Sequence, residues 1–441
     1  MLNQSKTLAL LVLSCLLSCW CYYAIGYDLA RHESSILIPS YFLLFVLYLW
    51  LSQQGDKANN YRYLLLFGFV ARILLLFSIP TLSDDVYRFI WDGRLLVNGI
   101  NPFIETPGHY LNQDNLIGIN QELYNHLNSP NYHSVYPPVT QFIFWISAAI
   151  SPTNITGSII VMRIINIIAD LAGLWFMIQL LAHYKIHKTY ALLYFINPLV
   201  ILELTGNLHH EGLLLCFILG ALHFANKNKW NISGAYWALA VATKLLPVIF
   251  LPYLLFRNKL SHSIKLFSSF LVISLLLFLP FYNSQMVDGM ISSLGLYFQK
   301  FEFNASIYYL ARSTGVWITG YNPIHIIGPM LALSTLTWIL FISIRYRKLQ
   351  PLEVMTLIIV SYFFLSTTVH PWYIITALGL SIFTMHRFIV LWTLLIFLSY
   401  SGYTTNTYIV NYWLLATEYL AVFSAIIYEW NNNKSFFKRI A

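Results

Sequence analysis

Long apolar runs separated by short polar or charged segments dominate this chain. A helix needs about 20 apolar residues to cross a bilayer, and an unpaired backbone polar group in lipid costs several kcal/mol. The runs that we interpret as crossings are 7–25, 36–51, 61–80, 155–182, 264–282, 322–344, 352–369 and 408–428. The pattern therefore predicts an all-α, polytopic helical membrane protein.

Shorter apolar runs interrupt this pattern in two regions. They are 190–204, 211–225, 230–243 and 246–256, followed later by 371–385 and 388–402. Each is too short for an independent lipid-exposed crossing, but short, interrupted helices are tolerated where they line a cavity inside a membrane protein. We therefore expect about 12–14 transmembrane helices, several of them short and broken.

Polar loops divide the chain into regions within a single integral membrane domain of residues 1–441. The longest polar loop runs from Thr81 to about Asn154 and is predicted to face outward. The predicted regions are the first three spans at 1–80, the outer loop at 81–154, the core helices at 155–282, a second outer loop at 283–321 and the C-terminal helices at 322–441.

The basic residues predict the orientation of these spans. With a cytoplasmic amino terminus, most of the 25 Lys and Arg residues fall on the cytoplasmic side, Lys185, Lys227 and Lys348 among them, as the positive-inside rule requires. This count holds only if Val135–Ile150 does not cross, so we interpret that segment as a half-embedded or re-entrant outer helix. The prediction is a multi-pass protein of the inner cell membrane with both termini in the cytoplasm.

Composition supports the membrane class and excludes others. Apolar residues make up 58% of the chain and charged residues 10%, against about 25% charged in soluble domains. The net charge of +8 comes from basic residues scattered between apolar runs, so we expect membrane lipids as partners and no nucleic acid. Cys15, Cys19, Cys21 and Cys216 lie in apolar stretches without metal-ligand spacing and are interpreted as small buried residues.

The first outer loop opens with a charged segment from Ser83 to Arg94. On a helix, its charged residues share one arc of about 100°, with apolar residues opposite; they are Asp84, Asp85, Arg88 and Asp92. This spacing predicts a helix that rests flat on the bilayer with its carboxylates turned to water or a cleft. The alternative is a solvated face with Ser83 as the helix cap.

This segment, which continues to Val97-Asn98-Gly99-Ile100-Asn101-Pro102-Phe103, resembles the first outer loop of the GT-C glycosyltransferases. It is most similar to bacterial polyprenol-phosphate-mannose-dependent mannosyltransferases, relatives of the GPI-anchor mannosyltransferases. Further matches follow in family order: Tyr136-Pro137-Pro138, Asn207-Leu208-His209-His210-Glu211-Gly212, Lys244-Leu245-Leu246-Pro247, Phe303-Asn304-Ala305-Ser306 and His370-Pro371-Trp372-Tyr373. The resemblance implies a GT-C-like fold and inverting transfer of a hexose, expected to be mannose, from a polyprenyl-phosphate donor to a glycan or lipid acceptor on the outer face.

The resemblance also implies that Asp84 or Asp85 is the general base. A sugar phosphate already has a good leaving group, so the enzyme must mainly deprotonate the acceptor and stabilise the departing phosphate. Asp84 is favoured because it is nearest the membrane span, although pairing with Arg88 four residues later would weaken it as a base. The other carboxylate is expected to pair with Arg88 or bind sugar hydroxyls.

Lys244 is the first candidate for the donor phosphate. It lies between two apolar half-helices, where a lone ammonium is costly without an anion. The alternative is an ion pair with a carboxylate in an apolar run: Glu203, Glu211 or Asp170. Arg88 and Arg312 are further phosphate candidates. Arg72 and Arg163 are expected to be structural, either paired with Asp170 or extended toward the membrane interface.

The remaining polar residues of these motifs are expected to contact the sugar or the acceptor: Asp92, Arg94, Tyr136, His209, His210, Glu211, His370 and Tyr373. His209 and His210 are neighbours that point about 100° apart on a helix, so they cannot chelate a metal as an i,i+4 pair would. Hydrogen bonding to sugar hydroxyls is therefore favoured, and assistance by a divalent metal stays open. For His370, a structural histidine at a helix start is the alternative. No cofactor is implied with certainty, because the lipid-linked sugar is a substrate.

Two other functions use similar features. A transporter or flippase of polyprenyl-linked glycans also needs broken helices and intramembrane charges, and an oligosaccharide ligase also uses polyprenyl carriers. No inverted repeat is visible in the sequence, and the outer loop concentrates acids on one side of the membrane. These observations favour the glycosyltransferase.

Overall fold

The computed structural model is built from helices, which form where the apolar runs lie in the sequence. It describes residues 2–57, 60–111, 113, 115–384, 386–405 and 407–433. Within these residues no strand forms, and two isolated β-bridges pair Phe303 with Thr368 and Tyr403 with Tyr408. The predicted all-α class is confirmed. The predicted cytoplasmic residues 434–441 lie outside the described part of the chain.

The first half of the chain contains the helices of the first spans and the outer loop. The first spans are α1 Leu2–Tyr23, α2 Ser34–Gln53 and α3 Asn60–Leu74. The outer loop contains α4 Asp85–Val97, α5 Pro107–Tyr110, α6 Gln121–Asn125 and α7 Pro138–Ile150. The core follows with α8 Ile155–His183, α9 Leu192–Phe195, α10 Pro198–Val200, α11 Glu211–Asn226, α12 Trp230–Thr243, α13 Leu251–Arg257 and α14 Leu260–Phe278.

The second half continues with helices of mixed length. They are α15 Ser284–Gln299, α16 Ile307–Thr319, α17 Ile324–Arg345, α18 Pro351–Leu365, α19 Ile374–Ser381, α20 Phe388–Leu395 and α21 Tyr412–Asn433. Two π-helical turns, Ala24–Asp28 and Ile201–Gly206, and short 3₁₀ turns extend or join these helices.

Several helices have the length and composition of membrane spans. In the described residues they are Thr7–Asp28, Ser34–Gln53, Ile155–His183, Leu260–Phe281 and Ile324–Arg345, with the broken pair Lys188–Phe195 and Pro198–Gly206, bent by 52°, as a sixth if it forms one span. The multi-pass membrane character is confirmed. The expected 12–14 transmembrane helices stay a prediction, because that number depends on whether the shorter helices also cross.

The core helices pack closely because small residues lie at their contacts. α12 packs against both α11 and α14. A Cβ added to Gly234 in α12 would lie 2.1 Å from the carbonyl oxygen of Leu266 in α14, and one on Gly220 in α11 would lie 2.4 Å from the Tyr236 ring. Only glycine permits these approaches. α11 and α12 therefore form a tight pair whose two ends hold different groups of polar residues.

Two boundaries differ from the sequence prediction. α3 ends at Leu74, so the predicted crossing at 61–80 is helical only in part, and the predicted loop at 283–321 contains α15 and α16. Backbone carbonyls that follow the end of α3 accept hydrogen bonds from a side chain instead of from the helix. The buried Arg163 guanidinium donates to the carbonyls of Leu76 and Ser78 at 2.8 and 2.7 Å, and to those of Thr205 and Gly206 at 2.6 and 2.9 Å.

Both intramembrane arginines have structural contacts, but only Arg72 forms the expected pair with Asp170; Arg163 binds backbone carbonyls instead and is buried rather than extended toward the interface. Arg72 pairs with Asp170 through Nε at 2.7 Å and Nη2 at 2.5 Å. The Tyr194 hydroxyl donates to the same carboxylate at 2.9 Å. Arg163 donates to four backbone carbonyls, and both guanidinium groups are fully buried.

α4 forms as predicted, but it does not lie flat with a polar face toward water. Arg88 and Asp92 are as buried as the apolar residues on the opposite arc. α7 covers the helix so closely that a Cβ on Gly93 would lie 2.2 Å from the Phe144 carbonyl oxygen. Asp84 and Asp85 at its start, and Leu96 and Val97 at its end, stay partly exposed.

Candidate active site

The acidic pair at the start of α4 divides between two partners. Asp84 is the N-cap residue, and its Oδ2 lies 2.5 Å from Arg31 Nη2. Arg31 also lies over the ring of Tyr403, 4.8 Å from its centroid. Asp85 is the first helical residue, and its Oδ1 accepts a hydrogen bond from Asn128 Nδ2 at 2.7 Å. The two adjacent carboxylates therefore have different environments, as their positions on a helix start predict.

The prediction that one of these two carboxylates pairs with Arg88 is wrong. Arg88 Nε donates to Asp92 Oδ1 at 2.8 Å, and its Nη1 donates to the carbonyls of Ser129 and Tyr132. Asp92 Oδ2 also accepts from Ser134 Oγ at 2.5 Å and Gln141 Nε2 at 3.0 Å. The i,i+4 pair on α4 is thus Arg88 with Asp92, closed off by the loop before α7.

Burial raises the pKa of the Asp85 carboxyl above its usual value. The Asn128 hydrogen bond and the charge of Lys244 lower that pKa, the charge of Asp84 raises it, and Arg31 lowers it, with burial dominant. A carboxylate with a raised pKa takes up a proton more readily, which suits a general base. The charge of Lys244 is therefore close enough to Asp85 to affect its ionisation.

Lys244 follows the last residue of α12 in an extended conformation, with φ −154° and ψ 138°. Its ε-amino group pairs with the buried carboxylate of Glu211, the first residue of α11. It also lies 4.5 Å from the centroid of the Tyr373 ring. Of the alternatives open from the sequence, the structure therefore selects Glu211 as the ion-pair partner. An ammonium has three donors, and the Lys244 side chain is 34% exposed.

The histidines of the site form part of an aromatic column. The rings of His209 and His370 each stack on the Trp372 indole, with centroid distances of 3.7 and 4.4 Å. Phe303 stacks on His370 at 4.5 Å. This column joins the 207–212 motif to the 303–306 and 370–373 motifs, which begin 91 and 158 residues after its end.

Each predicted histidine has a buried ring nitrogen without a hydrogen-bond partner in the described part of the chain. These atoms are Nε2 of His209, Nε2 of His210 and Nδ1 of His370. His210 Nδ1 is engaged with Asn166 Oδ1 at 2.9 Å, and His209 Nε2 lies 3.6 Å from Glu203 Oε2. A neutral imidazole nitrogen can donate to or accept from a hydroxyl, so these atoms have the chemistry expected of sugar contacts.

Glu203 and Arg31 belong to the site although the sequence assigned them no role in catalysis. Glu203 is fully buried; its carboxylate accepts from Tyr400 Oη at 2.6 Å and from Asn207 Nδ2 at 3.0 Å. Asn207 Oδ1 in turn accepts from the backbone N–H of Leu82 at 3.3 Å, two residues before Asp84. Two features of the sequence could have identified these residues. Glu203 is an acid inside the apolar run 190–204, and Arg31 lies in a charged cluster between the first two predicted spans.

Other predicted residues have contacts of their own. Arg312 lies 3.1 Å from Glu302 and donates to Tyr412 Oη at 3.0 Å. Arg94 is buried and donates to the Gly118 carbonyl at 2.6 Å. Tyr136 packs edge-on against the rings of Phe89 and Phe144. The ring of His210 contacts the same two rings. The roles of Arg88 and Arg312 in phosphate binding, and of Asp92 and Arg94 in sugar binding, stay predictions.

A metal site is not formed by three or more His, Cys, Asp or Glu side chains anywhere in the residues that the structure describes. His209 and His210 turn to different partners, as their adjacency predicts. Dependence on a divalent metal stays a prediction.

The cluster has the groups that transfer from a phosphate donor requires. Asp85 can accept a proton, Lys244 can neutralise a departing anion, and the imidazole nitrogens can hydrogen-bond hydroxyls. Glu203 and Asn207 fix the segment that enters α4. The predicted residues near Asp85 and Lys244 therefore assemble from five separate motifs into one site.

Comparison with known families identifies sugar transferases among the proteins similar to this chain. A family described as "Alpha-(1->6)-mannopyranosyltransferase, N-terminal domain" matches residues 11–257, more than half of the chain. The match contains the acidic pair, the 207–212 motif and Lys244, whereas Phe303, His370 and Trp372 lie beyond its end.

Individual relatives carry the same name. The chain is 25% identical over 180 residues to alpha-(1->6)-mannopyranosyltransferase A of Corynebacterium glutamicum, covering 41% of this chain and 35% of that protein. It is 27% identical over 174 residues to alpha-(1->6)-mannopyranosyltransferase B of the same organism, covering 39% and 28%. The A protein of Mycobacterium tuberculosis is 25% identical over 182 residues, covering 41% and 34%. The matched part spans about a third of the length of these curated relatives.

Proposed function

This chain belongs to the alpha-(1->6)-mannopyranosyltransferase family, and we propose that it is a membrane mannosyltransferase. The donor is a polyprenyl-phosphate-mannose lipid, and the acceptor is a hydroxyl of a glycan or lipid on the outer face of the inner membrane. Both termini are cytoplasmic. The relatives' names support the choice of mannose and of a hexosyl transfer.

The observation that carries this proposal is the joint position of Asp85 and Lys244. A carboxyl whose pKa burial raises lies within electrostatic reach of a partly exposed ammonium. Proton acceptance and phosphate stabilisation are the two tasks of sugar transfer from a phosphate donor.

The reaction is a single displacement with inversion. The acceptor oxygen attacks the anomeric carbon from the side opposite the phosphate, and the bond between that carbon and the phosphate oxygen breaks. The acceptor proton passes to Asp85, whose Oδ1 already accepts from Asn128, so Oδ2 is the oxygen available for it. The polyprenyl phosphate leaves with the bond's electron pair, and Lys244 stabilises its charge.

Lys244 reaches the phosphate while still held by Glu211. About a third of its side chain is exposed, and its ammonium has three donors, so it can contact both the Glu211 carboxylate and the donor phosphate. The ion pair and the contact with Tyr373 fix the ammonium before substrate binds, which reduces the cost of orienting it.

The histidines hold the sugar. Each of these histidines has one ring nitrogen without a partner among the described residues. Stacking on Trp372 fixes the rings of His209 and His370, and the hydrogen bond to Asn166 fixes the ring of His210. A site built to hydrogen-bond hydroxyls discriminates strongly against analogues that lack them, so this column supports selection of the hexose.

Transfer by the purified full chain in lipid nanodiscs tests the proposal. Radiolabelled polyprenyl-phosphate-mannose and an α-mannan oligosaccharide are supplied, and the product linkage and anomeric configuration are read by NMR. A new glycosidic bond with the configuration opposite to that of the donor supports the proposal. Equal or better transfer from GDP-mannose contradicts the lipid donor, and movement of the lipid between leaflets without a new bond identifies a transporter.

A further inference from the structure

A second cluster of polar residues lies at the ends of α11 and α12 that face away from the active site. α11 begins at Glu211 and ends at Asn226, whereas α12 begins at Trp230 and ends just before Lys244. A 16-residue helix is roughly 24 Å long at 1.5 Å per residue. The far ends of this pair border a cavity of about 520 Å³, well separated from Glu211 and Lys244.

Cations surround this cavity. Its lining includes Arg257, Lys259, Arg347 and Lys348. Within the described ranges, the ion pairs of the chain include none of these four. Arg257 donates to Tyr253 Oη at 3.0 Å and to the Arg347 carbonyl at 3.3 Å. Glu353 interacts electrostatically with Tyr253, but one carboxylate leaves the surroundings of the cavity strongly positive.

Three buried polar atoms on the lining lack a hydrogen-bond partner in the described residues. They are Trp230 Nε1, Ser233 Oγ and Asn258 Nδ2, and Ser233 is fully buried. Each can donate a hydrogen bond. Buried polar side-chain atoms in native proteins almost always have a partner, so donors next to four cations indicate an acceptor-rich anion such as a phosphate.

The remaining lining indicates that this anion carries apolar chains. Leu222, Leu254, Phe256 and Leu266 line the cavity together with the polar groups. α14, which contributes Leu266 and His262, has almost none of its apolar surface inside the protein. Leu260 and Ile264 on this helix are 77% and 59% exposed. A lipid headgroup in the cavity would therefore have an apolar surface beside it for its acyl chains.

We propose that this cavity binds the phosphate headgroup of an anionic membrane phospholipid. Arg257 and Lys259, Arg347 and Lys348, and the donors of Trp230 and Ser233 come from three separate parts of the chain. A phosphate between them joins α12 to the ends of α13 and α17, and it steadies the helix pair that carries Glu211 and Lys244. Lys348 belongs to the residues that charge asymmetry assigns to the cytoplasmic leaflet, where anionic lipids attract basic segments.

Lipid binding by the purified full chain in detergent tests this proposal. The chain is titrated with phosphatidylglycerol, with phosphatidylcholine and with inorganic phosphate, and bound lipid is measured by native mass spectrometry alongside the thermal midpoint. We expect phosphatidylglycerol to bind and raise the midpoint at concentrations where the other two do not. Binding of inorganic phosphate as tight as that of phosphatidylglycerol would assign the cavity to a soluble anion and overturn the lipid.

Charge-removing variants separate this cavity from general surface attraction. Lys259→Gln/Lys348→Gln removes two exposed lining charges, and Lys227→Gln/Lys229→Gln removes two exposed charges at the same end of α11 and α12 that do not line the cavity. We expect about a tenfold loss of phosphatidylglycerol affinity for the first pair and little change for the second. Equal losses for both pairs would overturn the site.

A third variant tests a buried donor without removing charge. Trp230→Phe keeps an aromatic ring against His262, whose ring lies 4.5 Å from that of Trp230, but it removes Nε1. We expect a several-fold loss of affinity with the midpoint of the lipid-free protein unchanged. Unchanged phosphatidylglycerol affinity in a folded Trp230→Phe protein would exclude the donor from the site and contradict the proposed headgroup position.

Discussion

The Asp84 carboxylate lies 2.5 Å from the Arg31 guanidinium, whereas Asp85, the next residue, accepts a hydrogen bond from the amide of Asn128. A carboxylate held in an ion pair is a weaker proton acceptor than one whose pKa burial has raised. The sequence favoured Asp84 as the general base because of its place beside the membrane span. The geometry supports the opposite assignment, with Asp85 as the base and Asp84 as the anchor of the first turn of α4.

We expect Asp85→Asn to lower the turnover number by about 10²–10⁴-fold with saturating donor, the usual effect of removing a general base. Asp84→Asn should cost less, because it loosens an ion pair and leaves the base in place. Asp28→Asn is the matched control, since Asp28 is an exposed acid at the end of the first span. Near-normal turnover of Asp85→Asn at normal membrane levels would remove Asp85 from the mechanism.

The rate should fall at low pH as the Asp85 carboxyl becomes protonated. Burial raises its pKa above the ordinary value of 3.8, so the activity, which requires the ionised form, is present above the raised pKa and is lost as the pH falls through it. Asn128 lowers this pKa by its hydrogen bond. Asn128→Ala should therefore shift the acid limb of the pH–rate profile to higher pH, and a shift to lower pH would contradict Asp85 as the titrating group.

Lys244→Ala should raise the KM for the lipid donor by about 10–100-fold, which corresponds to the loss of one charged hydrogen bond. Lys244→Arg should retain part of the affinity, because the charge remains while its geometry changes. Lys244→Ala also removes the ion-pair partner of the buried Glu211 carboxylate, so the double variant Lys244→Ala/Glu211→Gln removes that charge as well. A normal donor KM in the double variant would show that Lys244 serves only to neutralise Glu211.

Single cysteines at positions 185, 227 and 348 should react only with reagents added from the cytoplasm, and those at 115 and 288 only from outside. This expectation follows from the charge asymmetry and from the prediction that α7 does not cross the membrane. The native cysteines lie within apolar helices and are replaced by alanine first. Reaction at position 185 from outside would show that the segment 135–150 crosses after all.

The helices were predictable where the apolar pattern is local. The run 230–243 became α12 with the same bounds, since its ends are set by neighbouring lysines. The end of α3 at Leu74 was not predictable, because the carbonyls that follow it are satisfied by Arg163, which is 85 residues beyond Ser78. α15 and α16 were missed because their polar residues read as a loop.

The composition of the site was more predictable than its internal pairing. The resemblance brought Asp85, Lys244 and the histidines together, since its motifs are continuous in the sequence. The pairing of Asp84 with Arg31 depends on two loops from different parts of the chain, which no local pattern relates. Likewise, the spacing of Arg88 and Asp92 fitted a solvated helix face, and only the packing of α7 shows that the pair is internal.

The ion pair between Arg72 and Asp170 has a consequence for the order in which the protein is made. The two residues are 98 positions apart, so a ribosome working at about 5–20 residues per second makes Arg72 roughly 5–20 seconds before its partner. Through that interval α3 is a 15-residue helix with an uncompensated charge near its end, which disfavours its release into lipid. We expect the nascent α3 to stay beside the insertion machinery until α8 emerges, so the two helices leave it together.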